Sequence, residues 1–324
     1  MMVVIILSAV LMLIFQCAVS DVVDDFDKCS EFFLDNQPPE IPGVLVDSKS
    51  ADQNHFKLIC QGAKDKYTFA TFYNTTSRIP VFSAYTYSGK GNFNRDQAKK
   101  PWSTEPQLDN SEQATDADYR TDPPNVNRGH LFPVCHAKDV PTAKSTFTLT
   151  NAVPQKVSFN GGSWGRMETY TKQLMDSHCL DNNNKVLAYV LTGAVPGTIN
   201  LNNRVNIPKM MWTAFCCYNS KNQSWFSKAH WAPNVDEIVN QRTIPTVSLI
   251  NLHDHLKNTW GEGLKLFNDK CLTDEPVNTN LPPPDTECEE EKSFCHQSRP
   301  VIFCERSCDH TESVLTEIRK ICHS

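Results

Sequence analysis

The residue types able to do chemistry gather between positions 125 and 168. Asn125-Val126-Asn127-Arg128-Gly129-His130-Leu131-Phe132-Pro133 comes first, followed by Leu149-Thr150-Asn151-Ala152-Val153-Pro154-Gln155. Phe159-Asn160-Gly161-Gly162-Ser163-Trp164 and Arg166-Met167-Glu168 complete the set. A hydrolytic site needs an activated water, a stabiliser for developing negative charge, and a proton for the leaving group. An imidazole near its ordinary pKa is partly neutral at working pH, so His130 suits the general base. Glu168 lies four residues after Trp164 and shares its helical face, where an acid turned toward the core wants a polar partner. Taken singly these residues are ordinary: a satisfied histidine, a glycine-rich loop, a solvated helix acid. Their order and joint occurrence carry the argument.

Elements must position them. His130 ends one strand-like segment, Thr146–Thr150 reads as the next, and a helix follows. Trp164, Met167, Thr171, Leu174 and Met175 fall on one helical stripe. Its expected start is just after Gly161-Gly162-Ser163, with Ser163 as N-cap. Further β-branched and aromatic runs at 67–73, 81–87, 185–191 and 210–215 predict strands, and 249–258 predicts a shorter helix. The expected fold is α+β: a mixed or antiparallel sheet core, packed helices and a strand–loop–strand–helix unit carrying the polar cluster.

With these residues in order, the chain resembles the DNA/RNA non-specific endonucleases of the ββα-metal class. Their signature is D-R-G-H, then N-x-x-P-Q, then an Asn before G-x-x-W and a Glu in the helix. Phe69-Ala70-Thr71, Arg78 through Tyr85, and Trp102-Ser103-Thr104-Glu105-Pro106-Gln107-Leu108 are similar to the secreted endonuclease domain-containing 1-like branch. The resemblance spans roughly residues 25–272. It implies a phosphodiesterase (an EC 3.1 hydrolase) acting on DNA and RNA, with Mg²⁺ as cofactor and Mn²⁺ as a substitute. It implies that Asn160 is the one direct protein ligand of the ion, a neutral oxygen suiting a hard cation that keeps most of its waters. Glu168 would act on the ion through water, Asn127 would sit beside the water shell, and Asn151 and Gln155 would orient the shell and the loop.

Two positions depart from the signature. Its Asp is Asn127 here, which removes a negative charge beside metal and base but keeps an oxygen acceptor. The upstream arginine that clamps phosphate has no direct match. Alignment on Trp102 puts Lys100 there, with Arg95 as the neighbouring option, and lysine offers a point charge instead of a fork. Arg128 either compensates or supports the loop. His136 is expected to line the cleft, and His253 and His255, flanking Asp254, read as structural or surface groups.

Composition bounds the compartment. Residues 1–20 carry no charge and end in Ala18-Val19-Ser20, which reads as a cleavable signal peptide; a membrane anchor is the alternative, because no basic n-region is present. No later run is apolar enough to span, so the mature protein is expected to be soluble and secreted, extracellular or lumenal. Of thirteen cysteines, Cys17 belongs to the leader. The even remainder implies disulfides. Asn74-Thr75-Thr76 and Asn222-Gln223-Ser224 are glycosylation acceptors. A proline-rich linker at 273–287 separates the nuclease domain, 21–272, from a cysteine-rich tail, 288–324. Body and tail hold odd numbers of cysteines, so complete pairing needs a bridge between them, for which Cys271 is the candidate. Cys216 and Cys217, adjacent on a strand, should face opposite ways and find different partners. Cys304-x-x-x-Cys308-Asp309-His310 is zinc-like in spacing but reads as disulfide in this compartment. The net charge of −6 excludes polyanion binding over the whole surface and demands a local basic groove. The competing function is a secreted, catalytically weak or inactive binding protein on the same scaffold. Oligomeric state is left open.

Overall fold

The computed structural model describes residues 20–63, 66–120, 125–237 and 243–272, all within the first of two compact units, Met1–Glu289. The expected leader (save Ser20), the linker at 273–287 and the tail at 288–324 lie outside the described residues.

Seven strands form one antiparallel sheet. They are β1 (Asp21–Val23), β2 (Phe56–Ala63), β3 (Lys66–Asn74) and β4 (Ile79–Tyr87), and, after an excursion, β7 (Ala188–Val195), β8 (Met210–Asn219) and β9 (Ser224–Pro233). The order is β1-β2-β3-β4-β7-β8-β9. Both faces are covered, which is why the central strands read as almost unbroken apolar runs without strict alternation. Phe72, Phe82, Leu191 and Ala214 face a core closed by Phe26, Phe33 and a helix at Leu249–Trp260. Phe69, Tyr85, Val190 and Phe215 face the other core, closed by the long helix at Gly165–His178 through Leu174 and Met175. The expected α+β class is what is found.

The excursion between β4 and β7 holds the polar cluster. It contains helices α1 (Arg95–Ala98) and α2 (Val140–Ser145), the hairpin β5 (Val126–His130) and β6 (Ala152–Lys156), and then α3 (Gly165–His178). The helix at Leu249–Trp260 is α4, capped by the Ser248 hydroxyl on the Asn251 amide.

Two local expectations are corrected. Thr146–Thr150 is not the strand that pairs with the His130 segment; that partner is Ala152–Lys156. The threonines are engaged locally: Thr146 Oγ1 donates to the Ala143 carbonyl, and Thr148 and Thr150 hydroxyls bond each other at 3.0 Å. Such side chain–backbone bonding competes with a ladder. Ser163 does not cap α3. Its hydroxyl donates to the Glu237 carboxylate and its amide to the same group at 3.1 Å, and the helix is entered through turns already under way. The apolar stripe itself holds, for all five of its residues are buried.

Cys216 and Cys217 do face opposite cores and bond Cys271 and Cys179 respectively. Cys29 bonds Cys60. Cys271 is therefore not the bridge to the tail. The strand parity that turns Cys216 toward the first core brings it to the segment that closes that core. Cys135 is also disulfide-bonded, while the six other cysteines of the described residues pair among themselves.

Candidate active site

The site begins with a two-stranded ribbon. β5 and β6 pair antiparallel with Asn127 opposite Gln155, Arg128 opposite Pro154 and His130 opposite Ala152. Because side chains alternate along a strand, Asn127, Gly129 and Gln155 share one face while Arg128 and His130 share the other. Pro154 is tolerated because a lone ribbon has an outer edge where a missing N–H costs nothing. Gly129 is required by close approach: a methyl group there would overlap Oε1 of Gln155.

His130 is 5 % exposed and lies between two aromatic rings. Trp102 approaches at 4.6 Å between centroids, and Phe147 meets it edge-on at 4.9 Å and 87°. The Trp102 segment is stitched to the Phe147 segment by Ser103 N to Phe147 O, 3.1 Å, and Leu149 N to Ser103 O, 2.8 Å. Two side-chain torsions of the base are thus confined by packing. Sequence reading used Trp102 only to align the motif and missed this clamp, whose two rings are 45 residues apart and carry no joint signal.

Asn151 is fully buried and saturated. Its Oδ1 accepts from the Phe132 amide (3.0 Å) and the Ser83 hydroxyl (2.8 Å), and its Nδ2 donates to the carbonyls of Phe132 and Thr146. It orients the loop after His130 and spends its four hydrogen bonds doing so.

The chain leaves β6 directly into a helical turn, Val157–Phe159, and then a π-helical turn, Asn160–Trp164, broken at Gly162, before α3 proper. A π turn widens the helix and recurs at functional sites. Here it carries Asn160, 5 % exposed. Glu237, far along the chain, holds this turn at both ends by accepting from Ser163 and donating its amide to Ser158 Oγ at 2.8 Å. One turn further, Trp164 Nε1 donates to Glu168 Oε1 at 3.0 Å, as their shared face requires. Trp164 and Met167 pack in one cluster with Val126, Leu131 and Val153. The start of the helix bearing Glu168 and the ribbon bearing His130 therefore share one apolar cluster.

The cations are largely committed. Arg128 is ion-paired with Asp116 and lies 5.1 Å over the Tyr119 ring. Lys172, one turn beyond Glu168, pairs with Asp176 at 3.0 Å, an i,i+4 contact on the helix. Arg95 opens α1. Lys100 is half-buried, and burial, with Lys144 nearby, lowers the pKa of its ammonium. Tail and leader aside, Asn74 accepts from Ser77 N at the end of β3, and Asn222 is exposed in the β8–β9 turn.

The remaining histidines separate. His136 does not line an open cleft; it is 3 % exposed, and burial pushes its pKa down to about 4. His255 stacks on Trp231 at 3.7 Å, and His253 Nε2 accepts from Leu266 N.

The donor set fits a hydrated hard cation. Asn160 and Glu168 offer oxygen alone, and no cluster of three or more His, Cys, Asp or Glu able to cage an ion occurs among the described residues. Gln155 is 0 % exposed, yet neither Oε1 nor Nε2 has a hydrogen-bond partner among the described residues. A buried amide in that condition calls for polar neighbours such as an ion's water shell.

Ribbon, helical turn and helix, carrying one imidazole, one amide and one carboxylate in that order, define a ββα nuclease fold. The chain belongs to the DNA/RNA non-specific endonuclease family, whose model matches residues 47–259. It is 31 % identical over 214 residues to the human Endonuclease domain-containing 1 protein, covering 59 % of this chain and 39 % of that one. It is 29 % identical over 129 residues to the Nuclease of Serratia marcescens, covering 37 % of this chain and 46 % of that one. A solved EndoG/EndoGI complex shares the fold, with a TM-score of 0.52 at 18 % identity, over 65 % of this chain and 89 % of the matched one. The chain thus spans less than half the length of these curated relatives.

Proposed function

We propose that this protein is an exported, Mg²⁺-dependent endonuclease that hydrolyses both DNA and RNA, with Mn²⁺ able to replace Mg²⁺. The supporting observation is that the His130 ribbon and the start of the Glu168 helix contribute to one apolar cluster, with Asn160 carried on the π turn between them. His130 takes a proton from the attacking water, and the Trp102–Phe147 clamp aims its ring. Asn160 holds the ion directly, Glu168 acts through water, and Asn127 and Gln155 face the shell from the ribbon. The ion, when bound, supplies Lewis-acid stabilisation of charge on the phosphoryl oxygens. Lys100 is the phosphate-facing cation. Export accords with the disulfides, with the leader-like N-terminus and with acceptor sites at Asn74 and Asn222; no helix among the described residues is long and apolar enough to cross a membrane.

Incubation of the purified chain with plasmid DNA and with single-stranded RNA, under Mg²⁺, Mn²⁺, Ca²⁺ and chelator, tests the reading. Metal-dependent cleavage of both, abolished by His130→Ala, is expected; cleavage undiminished by that change refutes the assignment. A second reading, a weak or inactive nucleic-acid binder, draws on the commitment of Arg128 and Lys172 to acids and on Asn127. Retained binding without turnover would select it.

A further inference from the structure

The buried His136 is left over by this chemistry, and its hydrogen bonds give its role. Nε2 lies 3.0 Å from the main-chain carbonyl oxygen of Glu168, which can only accept. The proton therefore sits on Nε2, and Nδ1 is the acceptor. Tyr85 OH, 2.8 Å from Nδ1, must donate to it. A hydrogen-bonded chain thus runs from Tyr85 on β4 to His136 and ends on the backbone of Glu168. Tyr85, His136 and Glu168 lie together with Trp164 and Met167. Hydrogen bonds aligned in this sense reinforce one another where water is excluded.

We infer that His136, hydrogen-bonded through one ring nitrogen to Tyr85 and through the other to the Glu168 carbonyl, is the positioning residue that pins Glu168 to the central sheet and so sets it relative to His130. Both ends of that relation meet in His136, because it lies six residues after the base on the same connected segment, Val134–His136 following β5. Trp164 fixes the Glu168 carboxylate from one side and His136 fixes its backbone from the other. Packing alone would hold a phenyl ring in this place; the two hydrogen bonds are what a phenyl ring lacks. The inference rests on the nuclease reading for its consequence in turnover but not for its geometry.

The test uses the full chain and three variants, His136→Phe, His136→Gln and Tyr85→Phe, assayed well below each variant's melting temperature. Glutamine can donate to Glu168 and accept from Tyr85; phenylalanine can do neither. Three readouts are taken: kcat and KM on plasmid DNA, Mn²⁺ affinity by paramagnetic resonance, and the imidazole ¹⁵N shifts of His136. His136→Phe is expected to lower kcat and Mn²⁺ affinity about tenfold or more with KM changed less than about twofold, as removal of a ligand's supporting group does. His136→Gln should restore most of both, and Tyr85→Phe should fall between. The ¹⁵N shifts should report a protonated Nε2 at the pH of the assay. A folded His136→Phe with wild-type kcat and Mn²⁺ affinity, or equal deficits in the Phe and Gln variants, overturns the inference. If the wild type binds Mn²⁺ without cleaving, the nuclease reading fails, while the affinity series still decides the positioning role. If it binds no Mn²⁺, both fail.

Discussion

Two buried histidines should make this fold acid-sensitive well above the range where carboxylates titrate. His136 and His230 are each completely enclosed, and burial pushes both from the ordinary 6.5 down to about 4. His136 also feels Lys172, which lowers its pKa further, and Asp176, which opposes it. His230 donates from Nδ1 to the Pro245 carbonyl, a bond that offsets burial in part. The sign follows from proton counts. Between pH 6.5 and 4 the unfolded chain binds a proton at each position and the folded chain does not, so stability falls as pH falls. Above pH 6.5 neither state is protonated and the contribution is flat. From pH 7.5 to pH 5 each histidine removes about 2 kcal/mol, about 4 kcal/mol together, a large part of the stability of an ordinary domain. Urea unfolding at fixed pH, with disulfides intact and the slope checked for constancy, measures this. His136→Gln should flatten the profile by about 2 kcal/mol over that interval, and a second change, His230→Gln, by as much again. Wild-type and His136→Gln curves running parallel to within about 0.5 kcal/mol would refute the reasoning, because a histidine that ionises freely in the folded state cannot shift the linkage.

Other outcomes can be checked independently. Asn127→Asp returns a negative charge to the face shared with Gln155, and should lower the Mg²⁺ concentration for half-maximal cleavage roughly fivefold, read from a metal titration. Gly129→Ala should cost about 2 kcal/mol in urea melts, because the new methyl would overlap both the amide oxygen and the Cβ of Gln155. Replacing both Cys216 and Cys271 by serine opens a loop of sequence separation 55, and should cost about 4 kcal/mol, measured by calorimetry against the wild type.

Much of the fold is legible in the chain because its signals are local. The stripe from Trp164 to Met175 can bury itself only as a helix, and the apolar runs at 67–73, 81–87 and 210–215 can pair only as central strands. The parity of adjacent cysteines follows from the two-residue period of a strand and needs no partner to be known. The order of His130, Asn160 and Glu168, with i,i+4 spacing from Trp164 to Glu168, is likewise local chemistry written in sequence. Where such signals compete they mislead: Thr146–Thr150 has strand-forming residues, but their hydroxyls bond within the loop, and the true partner strand contains a proline that propensity disfavours.

What the sequence by itself determined was therefore the order of the candidate site residues and most of the elements that carry them. Only the tertiary structure decided their surroundings. Trp102 and Phe147 close on His130 from separate segments, Glu237 reaches the Asn160 turn from some 74 residues away, and Tyr85 turns His136 from a cleft residue into a buried strut. Cys271 chose Cys216 over the tail for the same reason. Contacts of this kind depend on which faces meet after the sheet is assembled, and a pattern of a few residues cannot encode a meeting between segments that only the completed core brings together.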